Sequence, residues 1–139
     1  MSTSDFLATT SRYSKFCSGK VAKPADTVIY VAGAFDLFHA GHIDFLEKAK
    51  AKGNFLLVGV FDDSVVNSQR GGGAPILNMH ERVLSCLSCR YVDEVIMGPP
   101  ETMTADMMMT MNISMVLYCD VDDLQQHEAD LNGRYKVRP

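Results

Sequence analysis

The chain has 139 residues, a length that suits one domain with its own buried core. Hydrophobic residues make up 47% and charged residues 22% of the chain, proportions that argue against a collagenous, disordered or membrane protein. Thirteen Lys and Arg against seventeen Asp and Glu give a net charge of −4, so the chain lacks the basic field that non-specific nucleic-acid binding requires. We therefore expect no nucleic-acid partner, and an anionic ligand would have to be bound by local groups.

The cysteines indicate an intracellular, cytoplasmic protein, because they follow no secreted disulfide framework: Cys17, Cys86, Cys89 and Cys119. The spacing of Cys86 and Cys89 is compatible with a metal or redox site, but no second such pair accompanies it. Leu84 and Leu87 beside this pair favour a buried helix face instead. We expect no protein-bound metal and, since no apolar run reaches about eighteen residues, no transmembrane segment.

The first elements predict a βαβ unit. Residues 1–26 are polar without a persistent period and predict a leader or interdomain linker. Val28–Ala32 and Phe55–Phe61 are continuously apolar, which is typical of strands buried on both faces of a parallel sheet. A helix is predicted between them, over residues 41–52, because apolar residues recur there at helical spacing: Ile43, Leu46 and Ala49.

The second half of the chain continues this alternation. A short polar helix is predicted from Asp62, and residues 70–75 (RGGGAP) predict an irregular loop because three glycines and a proline disfavour helix and strand. Asn78, with Glu81 three residues later, predicts the start of a helix that runs to about residue 89. A strand, a helix and a strand follow, at residues 92–97, 102–111 and 113–117.

This order predicts a doubly wound, Rossmann-like α/β fold, a parallel sheet with helices on both faces, formed by residues 27–119 as a single domain. Residues 120–139 have no apolar period and predict an irregular tail. Ligands of such sheets bind at the carboxyl ends of the strands. The turn after the first long strand is therefore the first place to expect a site.

That turn, residues 33–42 (GAFDLFHAGH), places His39 and His42 at the start of a helix with Gly41 between them. Because no Ser, Thr or Asn precedes the helix, we expect several of its first N–H groups to be free to bind a phosphate. The imidazoles would add donors suited to phosphoryl or nucleotidyl transfer. Two other interpretations stay open for the pair alone: ordinary polar residues at a helix start, or zinc ligands.

The full string Gly-x-Phe-Asp-x-x-His-x-Gly-His resembles the signature of the cytidylyltransferases and is present as Gly33, Phe35, Asp36, His39, Gly41 and His42. The resemblance extends over most of the chain, through residues 55–62, 78–82 and 90–95, and Arg70-Gly71 stands where the family usually has Lys-Gly. Within the family, the chain is most similar to the second of two tandem copies in the enzymes that act on phosphoethanolamine. This resemblance implies a fold of the nucleotidyltransferase type.

The resemblance also implies an activity, the transfer of CMP from CTP to phosphoethanolamine, with Mg²⁺ accompanying CTP, in phospholipid synthesis. His39 and His42 would donate to phosphate oxygens, and Arg70 would close over the phosphates. Further nucleotide contacts are implied for Gly33, Ala34, Phe35, Asp36, Gly41, Arg82 and Tyr118. Asp36 would order the turn or hold the metal indirectly. Glu81 and Arg82 would contact the nucleotide or the acceptor, or would form a capping pair on a solvated helix face. The Arg90–Glu94 face would contact a second cytidylyltransferase domain or a homodimer partner.

The chain also departs from the family pattern. The family's Arg-x-x-Gly-Ile-Ser-Thr-Thr segment has no counterpart before Pro139, and Tyr118-Cys119 replaces a histidine segment near the cytosine. These departures predict that this chain alone turns over slowly or is inactive. They favour an alternative function, a regulatory or pairing domain that binds nucleotide weakly or not at all. The acceptor also stays open, with phosphocholine, glycerol phosphate or an adenylyl acceptor as alternatives.

Overall fold

The computed structural model describes residues 15–17 and 22–119 of the chain. Within them the strands are β1 (Lys15–Cys17), β2 (Val28–Gly33), β3 (Phe55–Val60), β4 (Glu94–Met97) and β5 (Ile113–Cys119). The helices are α1 (Ala40–Lys50), α2 (Asp63–Arg70), α3 (Met79–Leu87) and α4 (Ala105–Thr110). The element types predicted for residues 27–119 are confirmed, with boundaries that differ by a few residues. Residues 120–139, predicted as a tail, lie outside the described residues.

The strands form one sheet in the order β1-β4-β3-β2-β5. The four strands from β2 to β5 are parallel, which confirms the doubly wound parallel sheet, and β1 pairs antiparallel with β4 at the edge. No strand was predicted within residues 1–26, so β1 is an addition to the expected sheet. The chain moves outward from β2 to β4 and then returns to β5 on the other side of β2. The carboxyl ends of β2 and β5 are therefore the topological switch point, where doubly wound folds bind ligands.

Alternate residues of the central strands enter two cores, one on each face of the sheet. Ile29 and Val31 pack with residues of α1 and α3, whereas Tyr30 packs with residues of α2 and α4. Because both faces are covered, β2 and β3 are buried at every position, as their continuous apolar sequences predict. The helices thus enclose the sheet and leave its carboxyl edge as the place for a site.

The buried face of α1 differs from the prediction. His42, Leu46 and Ala49 are its buried residues, at the helical spacing i, i+4 and i+7. Ile43, which was predicted to belong to this face, is 41% exposed. His42 therefore occupies the core position nearest the turn, and Ile43, which was predicted to pack on this face, does not.

The cysteine pair lies at the end of α3 as expected, with Cys86 and Cys89 both free thiols in the core. Leu84, however, is exposed and does not share their face. Among the residues that the structure describes, no helix combines the length and the apolar character needed to cross a bilayer.

Candidate functional site

The turn between β2 and α1 lies at the switch point. The last residue of β2, Gly33, pairs with Cys119 of β5, and Ala34 and Phe35 follow as buried residues. Phe35 and Leu37 have φ angles of 52° and 49°, in the left-handed region that residues other than glycine rarely adopt. Such conformations persist where the surrounding contacts impose them, and they are concentrated at functional sites.

The two histidines cap α1 through their ring nitrogens. Gly41 N–H donates to Nδ1 of His39 at 3.0 Å, and His39 N–H donates to Nδ1 of His42 at 3.1 Å. The expectation of uncapped N–H groups at this helix start is therefore wrong for these two donors, because the histidines themselves accept from them. An imidazole that accepts at Nδ1 carries its proton on Nε2 when it is neutral. Both rings are thus set in the tautomer that can donate from Nε2.

His42 is held more firmly than His39. Only 5% of His42 is exposed, and its ring is stacked on Phe38 at a centroid distance of 5.3 Å. Phe35 and His39 also contact the His42 ring, at centroid distances of 5.7 and 4.2 Å. His39 itself is exposed. The pair therefore combines a buried imidazole of defined orientation with an accessible one. The role of Phe38 was not predicted, although its position four residues before His42 was a usable signal.

Asp36 ties the turn to the loop that precedes α3. Its carboxylate accepts hydrogen bonds from the N–H groups of Ile76 at 2.7 Å and Leu77 at 2.9 Å. Burial alone would raise the pKa of Asp36, but these two bonds and the nearby Arg82 charge outweigh it and lower the pKa. Of the two roles considered for Asp36, the geometry supports the ordering of the turn.

Arg82 lies beneath the turn, fully buried. Its guanidinium donates to Leu77 O at 3.1 Å, to Ala34 O at 2.8 Å and to Asp63 Oδ1 at 2.7 Å. The interpretation of a solvated capping pair is therefore wrong for Arg82, since its charge is enclosed by the protein. Its partner Asp63 is the first residue of α2 and was not among the predicted site residues.

Arg70 is the exposed last residue of α2, at the start of the glycine loop, residues 71–73. Gly71, Gly72 and Gly73 all have positive φ angles, and a Cβ added to any of them would meet no atom within 4 Å. Asn67 of α2 donates to Ala74 O at 3.1 Å, and Asp36 holds the far end of the segment. The loop thus stands open, while Asn67 attaches residue 74 to α2 and Asp36 attaches residues 76 and 77 to the turn.

The other predicted contact residues lie around the same edge. Gly33, Ala34, Phe35 and Gly41 belong to the turn or to the first turn of α1, and the Tyr118 backbone pairs with Ala32. The side chain of Tyr118 lies outside what the structure describes. The described residues contain no cluster of three or more His, Cys, Asp or Glu side chains that could hold a metal.

The segment proposed as a pairing surface is only partly at the surface. Val92 and Asp93 are buried, whereas Arg90 is exposed and stacks over Tyr91 at 4.8 Å from the ring centroid. Asp93 accepts from Leu56 N–H at 2.8 Å and also binds the Lys50 ammonium. A partner could therefore contact only part of this segment, and the rest holds the fold together.

Curated relatives of this chain agree with the motif. The chain is 51% identical over 119 residues to an ethanolamine-phosphate cytidylyltransferase of Dictyostelium discoideum, an alignment that covers 86% of this chain and 33% of that protein. It is 48% identical to an ethanolamine-phosphate cytidylyltransferase of Arabidopsis thaliana over 134 residues, covering 96% of this chain and 32% of the relative. The chain thus spans about a third of the length of the curated relatives it matches.

A solved structure supports the fold. The lipopolysaccharide core biosynthesis protein from Thermoplasma volcanium superposes with a TM-score of 0.56 at 23% identity, covering 78% of this chain and 90% of that one. The profile of one family, described as cytidylyltransferase-like, matches residues 30–139, which include the whole histidine turn. This chain therefore belongs to the cytidylyltransferase-like family.

Proposed function

We propose that this domain binds CTP at the β2–α1 turn and takes part in CMP transfer to phosphoethanolamine. The observation that carries the proposal is the preset pair of imidazoles, whose Nδ1 atoms accept backbone N–H groups. The names of the relatives support phosphoethanolamine as the acceptor.

In the proposed reaction, a phosphate oxygen of phosphoethanolamine attacks the α-phosphorus of CTP. A new phosphorus–oxygen bond forms as the bond between the α-phosphorus and the bridging oxygen to the β-phosphate breaks. The products are CDP-ethanolamine and pyrophosphate, which carries away the bonding electron pair. No covalent enzyme intermediate is required, so the domain acts by positioning the phosphates and stabilising their charge.

The residues of the turn have separate parts in this proposal. His39 and His42 donate from Nε2 to phosphate oxygens. Gly41 has no side chain, so it leaves room for the phosphates to approach the backbone. Arg70, the last residue of α2, closes over the phosphates, and the open glycine loop beside it leaves space for that movement. Phe35 holds the buried imidazole in place through its ring contact.

Mg²⁺ fits this site as an ion carried by the nucleotide. The described residues offer no cluster of three or more ligating side chains, whereas Mg²⁺ commonly binds substrate phosphates and keeps several waters. The ion would neutralise charge on the phosphates. Asp36 would keep its two backbone hydrogen bonds and order the loop.

A domain that binds nucleotide without turnover is the second candidate function. The replacement of the family's histidine segment by Tyr118-Cys119 at the switch point favours it, because this position would face the cytosine. In that case the domain would serve a catalytic partner domain, with the exposed Arg90 and the half-buried Tyr91 and Glu94 as contact residues. The same turn would then hold nucleotide for a regulatory purpose.

Calorimetry with CTP and Mg²⁺ on the whole chain tests the binding step. We expect saturable binding of one CTP, and His39→Asn should weaken it by about tenfold to a hundredfold because a charge-assisted donor is lost. Arg90→Lys, an exposed substitution outside the turn, is the matched control and should bind like the unaltered chain. Equal affinities for His39→Asn and the unaltered chain would exclude the proposed site.

Radiolabelled phosphoethanolamine tests the transfer step. The chain is incubated with CTP and Mg²⁺, and labelled CDP-ethanolamine is separated and counted. Labelled CDP-ethanolamine that forms with the unaltered chain and is lost in the His39→Asn variant supports the transferase function. Binding without product, even when the complete relative is added in trans with its own active site inactivated, supports the regulatory domain. Phosphocholine and glycerol phosphate, assayed in the same way, decide the acceptor.

A further inference from the structure

Arg82 is a buried charge with fully specified partners. Its three hydrogen bonds reach the turn after β2, the start of α2 and the segment before α3. Asp63 supplies the negative charge, with its side chain 52% exposed, while the Arg82 side chain is 0% exposed. A charge buried away from solvent is costly unless it is paired and hydrogen-bonded, as Arg82 is. Its other two partners are backbone carbonyls, one in the histidine turn and one in the segment before α3.

Both backbone polar groups of Leu77 are hydrogen-bonded to charged side chains. Its N–H donates to Asp36 Oδ1 at 2.9 Å, and its C=O accepts from Arg82 Nε at 3.1 Å. Ile76 N–H adds a bond to the other Asp36 oxygen at 2.7 Å. The segment that follows the glycine loop is thereby attached to the histidine turn through two charged side chains.

The same two side chains bracket the strained part of the turn. Arg82 binds the carbonyl of Ala34 and Asp36 binds the loop, so they act on either side of Phe35, whose φ is 52°. Phe35 is buried and its ring lies 5.7 Å from that of His42. If the hydrogen bonds of Arg82 and Asp36 were lost, Phe35 could leave the left-handed region, and the His42 ring would lose a neighbour that fixes its orientation.

We propose that Arg82 and Asp36 are positioning residues that together preset the histidine turn and the glycine loop for a nucleotide that neither needs to touch. The proposal rests on the proposed function, since it deepens the account of the same site. It assigns to Arg82 an indirect role in place of the nucleotide contact that the family resemblance implied. It also explains why an arginine stands here, because the single nitrogen of a lysine cannot reach Leu77 O, Ala34 O and Asp63 together.

Limited trypsin digestion of the chain without nucleotide tests the positioning role of Arg82 and Asp36 directly. The bond between Arg70 and Gly71 is a trypsin site at the start of the loop, and the bond between Lys52 and Gly53 is an internal control beyond α1. Arg82→Lys and Asp36→Asn should speed cleavage after Arg70 by about fivefold or more, because opening of the loop becomes easier. Cleavage after Lys52 should not change.

Two further variants keep the digestion informative. Asp44→Asn is a matched aspartate substitution on the exposed face of α1 and should leave both cleavage rates unchanged. Asp36→Asn keeps one carbonyl acceptor and is the milder change, so it serves if Arg82→Lys does not fold. Unchanged cleavage after Arg70 in a folded Asp36→Asn chain would overturn the proposal, as would an equal increase at both bonds.

The nitrogen NMR signals of the histidine rings provide a readout that a purely stabilising role would not move. In the folded variants, the ring signals of His39 and His42 should shift away from those of the unaltered chain, and CTP affinity should fall about tenfold as the competent population falls. Unmoved ring signals would refute the positioning role. If the unaltered chain fails to bind CTP but the digestion and ring signals respond as expected, the proposed function is wrong and the positioning role of Arg82 and Asp36 is retained.

Discussion

At the residue scale, the histidines of the turn each have one nitrogen committed to the fold. His39 and His42 accept backbone N–H groups at Nδ1, which places their protons on Nε2. The sequence identified both residues through their motif. It did not predict the capping, because the residues preferred before a helix are Ser, Thr, Asn and Asp, and a histidine in that position carries no such expectation.

Two substitutions of His39 separate capping from ligand binding. His39→Ala removes the acceptor for Gly41 N–H and should lower the free energy of unfolding by about 1 kcal/mol, as the loss of a cap does. His39→Asn retains an acceptor suited to the cap and should remain within about 0.5 kcal/mol of the unaltered chain. Urea denaturation measures both. Equal losses of stability in the two variants would contradict the capping role.

The lowered pKa of Asp36 gives stability a defined dependence on pH. Burial opposes the shift, but the N–H groups of Ile76 and Leu77 stabilise the carboxylate, so the folded pKa lies below the unfolded value of 3.8. The contribution is therefore complete above the unfolded pKa and is lost as the pH falls through the folded pKa. Asp62, whose pKa is lowered by hydrogen bonds from Val65 N–H and the Ser64 hydroxyl, behaves in the same direction.

Urea denaturation between about pH 6 and pH 2.5 measures this dependence. We expect Asp36→Asn to lose less stability than the unaltered chain over the acid part of this range, because its side chain has no charge to lose. Asp44→Asn, a change at an exposed carboxylate, is the control and should follow the unaltered chain. Parallel curves for Asp36→Asn and the unaltered chain would show that the backbone bonds to Asp36 do not favour its charged form.

At the scale of elements, the central strands and helices were predictable and the edge was not. The continuous apolar sequences of β2 and β3 reflect burial on both faces, which is a local signal. β1 has three residues and pairs only with β4, so its formation depends on a partner strand more than on its own pattern. The exposure of Ile43 was missed for a related reason, because neighbouring elements decide which side of α1 is covered.

The glycines of β3 and of the loop should respond differently to alanine. A Cβ on Gly59 would lie 2.2 Å from the Tyr30 hydroxyl and 2.8 Å from Pro99, in the core between the sheet and its helices. Gly59→Ala should therefore cost about 1–3 kcal/mol of stability through overpacking.

Gly73→Ala is the matched control for this prediction. Its Cβ would meet no atom within 4 Å, so only the backbone strain of a φ of 81° remains, at about 1 kcal/mol. Urea denaturation of both variants makes the comparison, and a larger loss for Gly73→Ala would contradict the packing argument.

At the scale of the whole molecule, buried polar links join elements that are distant in sequence. Asp93 connects α1 with the start of β3, because it binds Lys50 and accepts from Leu56 N–H at 2.8 Å. Arg82 performs the corresponding role at the opposite, carboxyl edge of the sheet. Neither burial could be read from composition, since a charged residue looks alike in sequence whether its partner lies in solvent or in the core.

Removal of the buried carboxylate should be far more costly than removal of a surface one. Asp93 is 2% exposed, so Asp93→Ala should lower the free energy of unfolding by about 3 kcal/mol as Lys50 and Leu56 N–H lose their partner. Asp44→Ala breaks an exposed pair with Lys48 and should cost less than about 0.5 kcal/mol. Similar values from thermal or urea unfolding would show that the Asp93 link is not a stabilising one.

The antiparallel direction of β1 determines where the chain meets the site. Because Lys15 pairs with Ile96 and Cys17 with Glu94, β1 runs away from the carboxyl edge of the parallel strands, whereas β5 runs toward it. The chain therefore enters β1 and leaves β5 at the same edge, on the two outermost strands, about 19 Å apart by the usual strand spacing. A nucleotide at the histidine turn would therefore lie at the same edge of the sheet as the first residue of β1 and the last residue of β5.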